Sequence, residues 1–90
     1  MATTLKSAQT AVGTTATYIT TGVVGASHVY LHAPAGGNAI YVGDSTVTTV
    51  SGFELVKGTT VEIWLPEAAQ LFAVVGSGTE TLIWLHTGGR

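Results

Sequence analysis

Acid–base or metal chemistry in this sequence would have to come from three histidines and five carboxylates, because it contains no cysteine. His28 and His32 are spaced like two ligands on one face of a helix. They sit, however, in "SHVYLHA" (Ser27–Ala33), where apolar residues recur at every second position. In a strand, four residues cover about 13 Å at ~3.3 Å per residue, too far for two ligands of one ion. His86 follows in a separate segment with no carboxylate motif beside it. The histidines are therefore expected to face solvent or an interface, where imidazole titration makes a contact pH-sensitive. No metal and no other cofactor is expected.

Nucleophilic and carboxylate chemistry fare no better. Asp44 is the sole aspartate and Ser45 follows it directly, but no GxSxG elbow exists to expose a serine. Glu54, Glu62, Glu67 and Glu80 fall in or near turns and strand edges, and Glu62 alternates with Val61 and Ile63. Such acids serve solubility and discourage edge pairing, rather than facing each other across a cleft as glycoside hydrolysis requires. "VGSGTE" (Val75–Glu80) contains GxG without the third glycine or the following helix of a phosphate cradle. The chain is not expected to be an enzyme or to take a small-molecule substrate.

The segments that carry these residues are strands. In "SHVYLHA", Val29 and Leu31 point one way and His28, Tyr30 and His32 the other; in "TVEIWL", Val61, Ile63 and Leu65 oppose Glu62 and Trp64. "AIYVG", "LFAVVG" and "TLIWLH" are short β-branched and aromatic runs, with weaker candidates around Tyr18 and at the N-terminus. "APAGGNA", "VGD" and "KGT" are turn signals. "GSGTE" reads as a hairpin loop joining two strands of a C-terminal meander, with "VEIWL" and "TLIWLH" flanking "LFAVV". "PEAAQ" (Pro66–Gln70) suits a single helical turn, and "TGGR" reads as a loose end. Phe53 and Leu55 are expected to enter the core together. The pattern predicts an all-β fold, a single small β-sandwich or jelly-roll-like domain of seven or eight short strands over residues 1–90.

Composition says more about partners than about chemistry. Only 9% of the residues are charged, against about 25% in a typical soluble domain. Two lysines and one arginine, spread along the chain, form no basic patch, and the net charge is −2. Nucleic-acid binding is not expected. The N-terminus lacks the pattern of a signal peptide, and no segment reads as a membrane span. A surface so poor in charge must be covered by neutral hydroxyls, for which the sixteen threonines are available, or by neighbouring chains. Both are expected.

The aromatic residues Tyr18, Tyr30, Tyr41, Trp64 and Trp84 raise a stacking platform for sugars as one option. Tyr30 and Trp64 lie opposite the aliphatic face of their own strands. Protein contact is the better reading, because aromatic residues are enriched at interfaces and amides are scarce here. The threonine-rich segment 1–12 is either an extended N-terminal arm or an edge strand. Thr3, Thr4, Leu5 and Lys6, with Tyr30, His32 and Trp64, are the candidate protein-interface residues.

The run from Asn38 to His86 carries Tyr41-Val42-Gly43, Val47-Thr48-Thr49, Gly52-Phe53-Glu54-Leu55, Gly58 and Leu71-Phe72-Ala73-Val74. In these motifs and their order it resembles small virion structural proteins of tailed bacteriophages, of the head decoration type, with a looser match over "SHVYLHAPAGGNA". The resemblance implies a capsid decoration (cement) protein, a minor capsid protein made in the host cytoplasm and bound to the outer surface of the head shell. It would stabilise the shell by bridging major capsid protein subunits, as a homo-oligomer with a trimer preferred. The alternative it leaves open is a receptor- or glycan-binding tip domain of a tail or head fibre. It implies no catalytic residue, nucleic acid or membrane.

Overall fold

The computed structural model describes residues 3–25 and 27–89, with Thr3, Thr4 and Gly89 described through their backbone alone. It is all-β: β1 (Thr3–Val12), β2 (Thr17–Thr21), β3 (Ser27–His32), β4 (Ile40–Gly43), β5 (Phe53–Leu55), β6 (Thr60–Trp64), β7 (Gln70–Val75) and β8 (Glu80–Gly89). Two four-stranded antiparallel sheets form, in the orders β1-β8-β3-β6 and β2-β7-β4-β5.

The order has a simple origin. Thr3 pairs with Gly89, Tyr18 with Phe72, Val29 with Ile63 and Ile40 with Leu55, so the two residue numbers of a pair always add to between 90 and 95. The chain is therefore one long hairpin bent at residues 44–52, whose two arms stay paired while they roll into a sandwich. Rolling brings β8 beside β3 and β7 beside β4, which completes an eight-stranded jelly roll.

Strand alternation decides what the roll encloses. Val12, Val29, Leu31, Leu82 and Trp84 from the first sheet meet Ile40, Val42, Leu55, Leu71, Ala73 and Val75 from the second, all buried. In β2 the pairing slips between Tyr18 and Thr20. This bulge sends two successive residues, Ile19 and Thr20, into the interior.

Several local expectations are corrected. "GSGTE" does not close a hairpin, because β7 and β8 lie in different sheets, and β6, β7 and β8 form no meander. Nested pairing with distant partners outcompetes neighbour pairing, leaving β4–β5 as the one pair of consecutive strands in a sheet. Pro66–Gln70 is not helical. Ala69 N donates to Pro66 O at 3.1 Å with Ala68 at φ 66°, a β-turn that Gly22 ties down through Gly22 N→Ala69 O and Ala68 N→Gly22 O. "TGGR" is not loose through Gly89, because β1 pairs along the whole of β8. Phe53 stays 60% exposed while Leu55 is buried, since it begins a three-residue edge strand paired on one side only.

Candidate functional site

The two outer faces of the sandwich differ. Over the second sheet, the 44–52 segment folds back as consecutive turns. Asp44 Oδ1 accepts from Thr46 N (2.9 Å) and Thr46 Oγ1 (2.7 Å), and Thr48 Oγ1 accepts from the backbone of Val50 and Ser51. These bonds to Thr46 hold the Asp44 carboxyl below its ordinary range. The segment lays Val47 close against Gly43 and Gly52, and a Cβ on Gly52 would strike Tyr41 and the Thr48 carbonyl. Val74, paired with Tyr41 on the outward side, is thereby buried.

Among the described residues, the outer face of β1-β8-β3-β6 has no such cover. Register places its outward residues in rows across the strands: Leu5–Thr87–His28–Trp64, then Ser7–Leu85–Tyr30–Glu62, then Gln9–Ile83–His32–Thr60. Leu5 is 76% exposed, Trp64 60% and Tyr30 37%, with Ile83 and Leu85 half-buried between them. The only carboxylate in these rows is Glu62, whose Oε2 lies 2.5 Å from His28 Nδ1. His32 Nδ1 is 3.1 Å from Thr60 Oγ1. His28 meets Glu62 diagonally across the β3–β6 pair and His32 meets its directly paired Thr60, so the face presents rings and methyl groups with one acid–imidazole pair. Four strands at ~4.8 Å and three rows at ~6.8 Å make it about 400 Å² in extent.

Four of the residues picked from sequence, Leu5, Tyr30, His32 and Trp64, therefore converge on one face. Lys6 does not. It pairs with His86 on the opposite side of the sheet, its ammonium 5.9 Å from the centre of the Trp84 ring. Thr3 and Thr4 pair with Gly89 and Gly88 at the end of β1, an edge strand bonded to β8 throughout its length. Met1 and Ala2 lie outside the described residues. Sequence reasoning put His28 beside Tyr30 and Glu62 beside Trp64 without naming either as a contact residue, and passed over Ile83 and Leu85 as members of this face. Their signal was present in the alternation of "TLIWLH" against "SHVYLHA", but it needs the β3–β8 pairing to become a surface. The five aromatic residues form no common platform, since Trp84 is core and Tyr18 packs edge-on against Phe72 (5.7 Å) in the other sheet.

His86 is a correction: it is 2% exposed, not at the surface. It occupies an inward position of β8, where Nδ1 is 2.8 Å from Thr20 Oγ1 of the opposing sheet and Nε2 has no hydrogen-bond partner. Burial, and then repulsion from Lys6, pushes its pKa below the ordinary imidazole value.

Elsewhere, an open groove of about 400 Å³ runs between residues 14–16, 45–49 and 74–76, lined by threonine, serine and valine with no titratable side chain. Glu80 accepts from Asn38 N at 2.9 Å and lies 3.5 Å from Lys57, which pins the 36–38 loop and lowers its pKa, the Asn38 bond first. No group of three metal-ligating side chains comes together among the described residues. The candidate site is thus the open face of β1-β8-β3-β6, built of rings, aliphatic groups and one acid–imidazole pair. No protein-family model matches the chain, and no curated protein matches it significantly.

Proposed function

We propose that this protein is a non-enzymatic structural component of a tailed-phage particle, bound to the outside of the head shell. It holds neighbouring major capsid protein subunits together through the open face of β1-β8-β3-β6. The observation that carries this reading is the convergence of Leu5, Tyr30, His32 and Trp64 on a face with a single carboxylate, itself engaged by His28. Aromatic and aliphatic groups without competing charge are the composition of a protein–protein contact core. A face of about 400 Å² is roughly half of what one partner contributes to a standard interface. One copy would bind weakly. Two or three linked copies touching adjacent shell subunits gain through effective concentration, and for that reason the reading includes self-association, with a trimer preferred.

The test is addition of purified protein to tail-free heads that lack it, followed by cryo-electron microscopy and a heat or chelator challenge. Saturable density on the outer shell in many copies, lost with Trp64→Glu, supports the reading; heads that never acquire the protein overturn it. A second reading, a glycan-binding tip of a fibre, is favoured by one observation: the exposed Trp64 ring lies beside the His28–Glu62 pair, a stacking surface next to polar groups. That reading expects binding on a glycan array and a handful of copies per particle.

A further inference from the structure

The sheet that carries the open face ends in two strands paired on one side only among the described residues. β1 pairs with β8 alone, and β6 with β3 alone. β1 runs ten residues in unbroken register, with no proline, glycine or bulge. Free edges of this length invite another strand, and natural sheets shorten, bulge or charge them. The one charge on β1, Lys6, is turned onto the Trp84 ring of its own sheet. Ser7 to Ala11 remain as a neutral edge.

We propose that this edge is covered by β6 of a second copy of the chain, so that molecules join head to tail into one continuous sheet. Direction agrees. Four strands, each antiparallel to the next, leave β1 and β6 running opposite ways, so β6 of one copy meets β1 of another antiparallel, as every other pair in the molecule does. Apolar surface agrees as well. The first row of the open face ends in Leu5 at one edge and Trp64 at the other. In the joined sheet these two exposed side chains become neighbours and shield each other.

Charge does not oppose the joint. On the β1 flank, residues 5–21 hold no acid, so Glu54 and Glu62 of the other flank, β5 and β6, meet no like charge there. Lys57, on the turn between β5 and β6, is occupied by Glu80. Pairing β1 with another β1 would bring neither Trp64 nor a carboxylate to the edge. A head-to-tail contact either closes into a ring or continues as a filament. Three copies in a ring would give the trimer proposed above, but the inference does not rest on a capsid role and is tested without one.

The absence of cysteine allows a direct test. Ser7→Cys on β1 is mixed with Thr60→Cys, Glu62→Cys or Trp64→Cys on β6. All are outward positions, and the three β6 sites cover neighbouring registers. Under mild oxidation, Ser7→Cys and one β6 variant are expected to give an intermolecular cross-link that neither gives alone. Ser7→Cys linking to itself, a β6 variant linking to itself, or no mixed cross-link at any register would overturn the proposal. So would wild-type protein that sediments as a monomer up to its solubility limit. Leu5→Lys and Trp64→Glu, both at exposed positions that leave the core intact, are each expected to weaken self-association by at least about tenfold. An equimolar mixture of the two is expected to recover pairwise association, because every contact between unlike variants is either wild type or of opposite charge, and failure of that recovery also counts against the proposal.

Discussion

Thr20 and His86 make the one fully buried bond between side chains among the described residues, and it ties one sheet to the other. Thr20→Val keeps the branched shape and removes only the hydroxyl. His86 Nδ1 is then stranded in a ring whose Nε2 already lacks a partner. Leaving a buried polar atom unsatisfied costs about 1–3 kcal/mol, and in a domain of this size each kcal/mol lowers Tm by roughly 4–8 °C. Adding His86→Leu should recover much of the loss, because replacing both partners by apolar groups removes the unsatisfied nitrogens. Urea unfolding of the four proteins in the cycle measures the coupling directly. The reasoning fails if Thr20→Val unfolds at the wild-type urea midpoint, or if the two substitutions are additive to within about 0.5 kcal/mol.

The same pair fixes a pH dependence. Burial and Lys6 hold the folded-state pKa of His86 below its ordinary value near 6.5. Above pH 6.5 the ring is neutral in both states and the full stability is present. As the pH falls toward the folded pKa, the unfolded chain takes up the proton first, and stability is lost at up to about 1.4 kcal/mol per pH unit. Thr20→Val/His86→Leu lacks this group, so subtracting its stability profile from that of the wild type isolates the contribution of His86. A difference that stays flat between pH 6.5 and 5 would refute the assignment.

Three further outcomes are expected. Gly22→Ala drives a Cβ into the Pro66 carbonyl oxygen, where only a backbone shift gives room; a loss of about 1–3 kcal/mol or more is expected in urea unfolding. Ala68→Gly, in the turn facing it, relieves a positive φ of 66° and should be neutral or stabilising by about 0.5–1 kcal/mol after the entropy of the unfolded glycine is counted. In a Trp84→Phe background, Trp64 is the remaining tryptophan and is 60% exposed. Acrylamide should quench its fluorescence in dilute protein, and much less at high concentration if copies join through this face as proposed.

Much of the fold was legible because the first sheet obeys period two so cleanly. Val29 and Leu31 are fully buried and Tyr30 is not, as the alternation of "SHVYLHA" requires. What local pattern cannot carry is partner choice. β6, β7 and β8 look like neighbours in sequence, yet their partners are β3, β2 and β1, chosen by the mirror-like pairing about residues 44–52. Phe53 misled for a related reason: alternation gives the side of a strand, but not whether that strand ends up at an edge with nothing beyond it. His86 was harder still. Its inward parity could be read from "TLIWLH", but the hydroxyl that makes burial tolerable comes from Thr20, sixty-six residues away. That hydroxyl is turned inward only by the bulge in β2.

The position of the 44–52 segment also explains why the candidate face lies on one sheet and not the other. As the tip of the long hairpin it has to come back over whichever sheet contains β4 and β5, the strands it joins. Its turns are held by side chains of its own, Asp44 and Thr48, so it lies down as a preformed cap and buries Val47 and Val74. Among the described residues the other sheet has no comparable segment, because its strands are linked by connections that cross to the opposite layer. The uncovered sheet is also where the apolar outward residues Leu5, Tyr30, Trp64, Ile83 and Leu85 collect, the positions on which the proposed contacts draw. The outward rows of that open face carry a single charged side chain, Glu62.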